Sequence, residues 1–257
     1  MRFLLVLLFV TSTAWARNEP SVLLYDLSRD ILIQNTNVDQ VRPMASITKV
    51  MTAIVALELK HDPMGRIEVD RRVSGVLAKR QTYTRHELLM AMLIRSDNSA
   101  SETLAQDHPF GRKGFLEAMN AKARELGMMN THFDDPSGLS RLNTSTARDI
   151  MIMLRHAMTV DKIRLISTVH RTEIEVQGKK NKPAKILIQN TNMGILDQFN
   201  SVIVSKTGLT TPAGWCVGLV LDEARGTYIL VVLGSTTKAH RHQLVSNTIN
   251  QHIRDSF

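Results

Sequence analysis

The sequence predicts an α+β fold: an antiparallel sheet drawn from both ends of the chain, flanked by helices and carrying a mainly helical lobe. Three observations lead there. Short β-prone runs lie before residue 37 and return from about residue 171 to 233. Between them, from about His61 to Ile166, the apolar pattern is mostly helical. The 257 residues show no internal repeat, low-complexity tract or linker, so one domain accounts for them.

The elements follow in order. Met1-Arg2, the apolar run Phe3 to Val10 and the small-x-small site Ala14-Trp15-Ala16 read as a signal peptide over residues 1–16. That run is well short of the ~20 residues a spanning helix needs, and no later stretch reaches that length, so the mature chain carries no transmembrane anchor. Residues 17–257 then form a single domain, with a sheet lobe at about 17–60 and 170–257 and a helical lobe at about 61–169. Export places it in the periplasm, free or loosely associated with wall or membrane. Ser21 to Leu27 and Ile31 to Gln34, joined by Ser28-Arg29-Asp30, read as a hairpin.

Pro43 holds Arg42 extended, so a helix starts near Ser46. From Ile47 to Leu59 it is apolar nearly all round, the pattern of a buried helix. Thr84-Arg85-His86-Glu87 has capping-box spacing ahead of an apolar helix. Gly114 to Leu126 ends at Gly127, a C-cap, and Thr146 to Met158 is a methionine-rich helix whose stripe fills core. Strands follow at Arg171 to Gln177 and Ala184 to Gln189, with a basic turn at 178–183. Further strands lie at Val202 to Val204, Cys216 to Leu221 and Tyr228 to Leu233, and an amphipathic helix runs from Ala239 to Phe257.

Composition narrows the function. There are 32 basic and 24 acidic residues, and without Arg2 the balance is +7, which suits a polyanionic envelope. No basic run is interleaved with aromatics, which argues against nucleic acid. Cys216, the only cysteine, excludes an intramolecular disulfide and reads as a buried thiol in an apolar strand. His86-Glu87-Leu88-Leu89-Met90 begins like a zinc-protease motif, but Met90 occupies the second ligand position; no metal site or cofactor is predicted.

Two residues break the apolar rule in the buried helix: Ser46 and Lys49, three apart and on one face. Desolvation lowers the pKa of a buried lysine and lets it take a proton from a neighbouring hydroxyl. The spacing alone is weak, since Ser235-Thr236-Thr237-Lys238 repeats it beside a turn. Ser96-Asp97-Asn98, viewed singly, is a capping loop, and Lys206-Thr207-Gly208 is a strand end. Together and in this order, the three form the signature of penicillin-recognising serine enzymes.

The chain therefore resembles the low-molecular-mass penicillin-binding proteins, serine D-alanyl-D-alanine peptidases, and is most similar to their endopeptidase subgroup. Arg42 to Lys49, Met119 to Ala123, Pro136 to Ser140 and Ser145 to Asp149 carry the resemblance, which extends over the whole mature chain. It implies a β-lactamase/transpeptidase-like fold, peptidoglycan stem peptides as substrates and β-lactams as covalent inhibitors. It also implies roles: Ser46 as nucleophile, Lys49 as general base, Ser96 as proton relay, and Asn98 as the residue holding Lys49 and the substrate backbone. Lys206 would supply positive charge that keeps Lys49 deprotonated and orients substrate. Thr207 would bond the substrate, and the backbone N–H groups of Ser46 and Leu209, the latter following Gly208, would form the oxyanion hole. Relatives often carry an aromatic residue or histidine where Leu209 stands, which alters the wall but keeps the donor.

An endopeptidase cutting cross-links is the leading expectation and a D,D-carboxypeptidase its nearest rival. Only about fifty residues follow Lys206, too few for the added β domain and tail of anchored carboxypeptidases. A serine β-lactamase is disfavoured because Asp134 to Asn143 lacks a Glu-x-x-Leu-Asn pattern. A non-catalytic wall-binding protein is disfavoured by the intact motif set.

Overall fold

The two ends of the chain pair with each other. In the computed structural model, which describes residues 19–70, 73–177 and 183–254, Ser21–Asp26 (β1) and Ile31–Thr36 (β2) form the expected hairpin. Asp26 closes its turn by accepting the backbone N–H groups of Ser28 and Arg29. On its other side β1 pairs antiparallel with Gly226–Ser235 (β11), placing Leu23 opposite Val231. Next come Gly214–Glu223 (β10) and Val202–Thr210 (β9), giving the order β2-β1-β11-β10-β9 with β9 at an edge. The signal-peptide residues, residues 178–182 of the basic turn expected at 178–183, and the last three residues lie outside the described residues.

The central strands are apolar without alternation because both faces of the sheet are covered. Leu23, Ile229 and Val231 face the larger core with Leu154, while Val22, Leu24, Leu219 and Leu230 face the other with Val245 and Ile249. Each such side chain, fully buried, contributes roughly 1.5–3 kcal/mol. The second core is sealed by Met193–Gln198 (α7) and by Lys238–Ile249 (α8), the closing helix expected from the sequence.

Thr48–Glu58 (α1) runs through the larger core, buried from Thr48 to Val55. Around it stand Arg85–Ile94 (α2), Asn98–Gln106 (α3), Gly111–Glu125 (α4), Ala147–Ala157 (α5) and Asp161–Ser167 (α6). The capping box is complete: Thr84 Oγ1 accepts the Glu87 N–H, and Glu87 Oε2 accepts the Thr84 N–H at 2.7 Å. The other carboxylate oxygen of Glu87 accepts the Glu175 N–H, so the residue serves two helix-end and strand contacts.

Three features differ from the sequence reading. Ser46 lies in a separate 3-10 turn, Ala45–Ile47, and the α-helix starts at Thr48. Arg171–Gln177 (β7) and Pro183–Gln189 (β8) pair only with each other and rest on α2, outside the five-stranded sheet. Conversely α5, from the middle of the chain, packs on β1, β10 and β11, so closely that a Cβ on Gly218 would sit 2.9 Å from Leu154 Cδ1. Propensity names a strand or a helix but not the layer that receives it.

Candidate active site

Arg42–Pro43 (β3) pairs with Thr144–Ser145 (β6), and the chain then turns sharply at Ala45, whose φ is +48°. The 3-10 turn delivers Ser46 to the top of α1, with Lys49 one turn below. The Lys49 Nζ lies 2.9 Å from Ser46 Oγ. Two glycines close on this turn. A Cβ on Gly138 would lie 2.0 Å from Ala45 O and 2.9 Å from Ser46 N; one on Gly208 would lie 3.1 Å from Ser46 N. Gly138 also holds φ +84°, so its position needs glycine twice over.

Lys49 is 0 % exposed. Its Nζ donates to Asn98 Oδ1 at 2.6 Å and to the Ser137 carbonyl at 2.5 Å. Burial drives its pKa down to about 7, against the opposing fields of Asp135, Asp97 and Glu102. A neutral amine has two N–H donors and one lone pair. With the donors taken by Asn98 and Ser137, the lone pair is left for the Ser46 hydroxyl.

Ser137 is fixed by an acidic hub. Asp135 accepts the backbone N–H groups of Ser137, Gly138 and Ser140 and the Ser137 hydroxyl. Burial alone would raise this carboxyl, but those donors outweigh it and its pKa falls below the ordinary value. Asn143 then ties the loop to α1 by donating to Thr48 Oγ1 and to the Asp135 carbonyl.

Ser96 sits between α2 and α3 with φ +63°, a strained setting for a non-glycine residue. Its Oγ accepts from Lys206 Nζ at 3.0 Å. Asp97 is the N-cap of α3 and accepts from Ala100 N; desolvation raises its pKa although backbone donors pull the other way. Lys206, 1 % exposed, also donates to the Thr207 carbonyl at 2.9 Å. Burial pushes its pKa well down, and the charges of Lys49 and Arg241 push the same way. Burial is the first cause of the depression at both lysines, and their mutual repulsion works in the same direction. Thr207 Oγ1 is 2.6 Å from Thr191 Oγ1, and Leu209 projects outward, 49 % exposed.

The structure thus brings the expected residues into one site at the β9 edge: Ser46, Lys49 and Asn98 are hydrogen-bonded, Gly208 presses on Ser46 N, and Lys206 bonds Ser96, with Thr207 and Leu209 on the same strand. The competing tetrad stays away from it: Ser235 is buried at the end of β11 and Lys238 is exposed at the start of α8. Cys216 is buried, and desolvation lifts its thiol pKa to about 11. Sequence reasoning missed Asp135 and the Ser137 carbonyl, whose only signal was the Pro136 to Ser140 segment noted for its resemblance. It also missed Arg241, which is 2 % exposed behind Lys206 and lies 5.7 Å from the Trp215 ring centroid. Arg241 donates only long bonds of 3.4 Å, to the Cys216 carbonyl and Asn192 Oδ1, and no carboxylate among the described residues pairs with it.

A serine hydroxyl beside a buried lysine, with three motifs meeting at a sheet edge, sits on a β-lactamase/transpeptidase-like fold. The chain belongs to the D-alanyl-D-alanine carboxypeptidase family, peptidase family S11, whose sequence profile matches residues 11–237. It is 33 % identical over 241 residues to the D-alanyl-D-alanine endopeptidase of Escherichia coli, covering 85 % of this chain and 77 % of that one. It is 34 % identical over 225 residues to the D-alanyl-D-alanine endopeptidase of Pseudomonas aeruginosa, covering 85 % and 72 %. Among solved structures, ampicillin-bound penicillin-binding protein D2 of Listeria monocytogenes aligns with a TM-score of 0.77 at 25 % identity, over 90 % of this chain and 95 % of that one.

Proposed function

We propose that this protein is a periplasmic D-alanyl-D-alanine endopeptidase that hydrolyses peptidoglycan cross-links through an acyl-enzyme on Ser46. The observation that carries this is the Ser46–Lys49 pair: a hydroxyl 2.9 Å from a buried amine whose pKa is about 7. Lys49 takes the Ser46 proton as Oγ bonds to the carbonyl carbon of a D-alanine residue. The oxyanion is held by the N–H groups of Ser46 and Leu209, fixed dipoles aimed at the developing charge. The proton then passes through Ser96 to the departing amine, the C–N bond breaks, and water hydrolyses the ester. Lys206 and Thr207 bind the substrate's polar end, and Asn98 holds the backbone of a peptide extended along β9. Among the described residues no helix is long and apolar enough to cross a membrane.

The endopeptidase names of relatives at 33 % and 34 % identity support cross-link cleavage, whereas the family description supports a second reading, removal of terminal D-alanine. Purified protein incubated with cross-linked and uncross-linked muropeptides separates the two. Conversion of dimers to monomers is expected. Release of D-alanine with dimers left intact would leave the carboxypeptidase reading standing alone.

A further inference from the structure

Residues 73–77 form a strap across the start of α3, and its bonds converge on the Ser96-Asp97-Asn98 segment. Val73 N–H donates to Ser99 Oγ at 2.9 Å. The Ser74 carbonyl accepts the N–H groups of Asn98 and Ser99, at 3.0 and 3.3 Å, two of the donors a helix start leaves unpaired. Val76 and Leu77 donate their N–H groups to Asp97 Oδ2 at 2.6 and 3.2 Å. Gly75 passes so close that a Cβ would lie 1.9 Å from that oxygen. Backbone bonds thus seat the strap without help from the Ser74 side chain.

The Ser74 hydroxyl does something else. Ser74 is an exposed residue, and its Oγ accepts from Asn98 Nδ2 at 2.6 Å. Asn98 is thereby held at both ends of its amide, with Oδ1 on Lys49 and Nδ2 on Ser74. Resting on the Ser46–Lys49 reading, we propose that Ser74 is a positioning residue for the acylation step, acting through Asn98. Its Oγ fixes the amide plane so that Oδ1 stays on a Lys49 N–H and the lysine lone pair stays on Ser46. Without it the amide swings, Lys49 loses an acceptor, its ammonium form is less favoured, and the base is less well aimed.

The test is the second-order rate of acylation by a fluorescent penicillin across pH, on the full chain, for wild type, Ser74→Ala and Ser74→Thr. Ser74→Ala is expected to lower the plateau rate about tenfold, through loss of the hydrogen bond that holds the Asn98 amide. The acid limb of its profile should move to lower pH, and Ser74→Thr should restore both. An unchanged plateau and limb in Ser74→Ala, with wild type labelled at Ser46, would overturn the inference alone. So would a fall in melting temperature with the limb unmoved, since a structural contact would do only that. Failure of wild type to label at Ser46 would overturn the underlying reading as well.

Discussion

At Ser46 the Ser-x-x-Lys spacing crosses a 3-10 turn into the first turn of α1, whereas at Ser235 it crosses from the end of β11 to the start of α8. The first lysine is 0 % exposed and donates to Asn98 and Ser137. The second is exposed, and the work of its tetrad is done by Thr237, whose Oγ1 accepts the His240 N–H at 3.0 Å as the N-cap of α8. Ser235 Oγ points at the Thr237 carbonyl, at 3.4 Å. The same serine-to-lysine spacing therefore yields a buried lysine on two acceptors in one place and a helix cap in the other. Burial with two fixed acceptors makes the difference, and spacing does not.

The largest expected effect is on the nucleophile. Ser46→Ala should abolish penicillin labelling while leaving the circular dichroism melt intact, and Ser235→Ala should label like wild type; labelling that survives Ser46→Ala would erase the contrast. Next comes the base. Lys49→Gln should slow acylation by about 10²–10⁴-fold, the usual worth of a positioned proton acceptor, while Lys238→Gln should leave it within about twofold. The same assay reads the pH sign. Lys49 must be neutral to act, so the wild-type rate should fall by about tenfold per pH unit below about 7, and a profile flat down to pH 5 would contradict the depressed lysine. The smallest effect sharpens the second site: Thr237→Ala should cost about 1 kcal/mol in denaturant titration, with the acylation rate unchanged.

Much of this was legible in the sequence. Ser28-Arg29-Asp30 between two β-prone runs announces the first hairpin, Thr84 and Glu87 announce α2, and the apolar runs from Cys216 and Tyr228 announce strands. Ser46 and Lys49 stood out because polar residues in a buried apolar helix need a reason, and Asn98 and Lys206 stood out only through the ordered set of three motifs. What stayed hidden was of another kind. The acceptor that completes the lysine's shell is the carbonyl of Ser137, and every residue has a carbonyl, so no residue type marks it. Ser74 was invisible for a related reason: its importance lies in a contact with a residue 24 positions away, in an unremarkable polar loop. The separation of β7 and β8 from the main sheet depends on the surface α2 offers, which strand patterning does not encode.

The two glycines pressed against the Ser46 turn bear on how such an enzyme could escape antibiotics. In the proposed mechanism a peptide and a β-lactam share the backbone N–H at Ser46, and a side chain at Gly138 or Gly208 would crowd that group for both. Reduced drug sensitivity gained at either position would carry an equal loss of wall-cutting activity. Selection for resistance is thereby steered outward, to residues such as Leu209 that border the cleft without setting the position of the nucleophile.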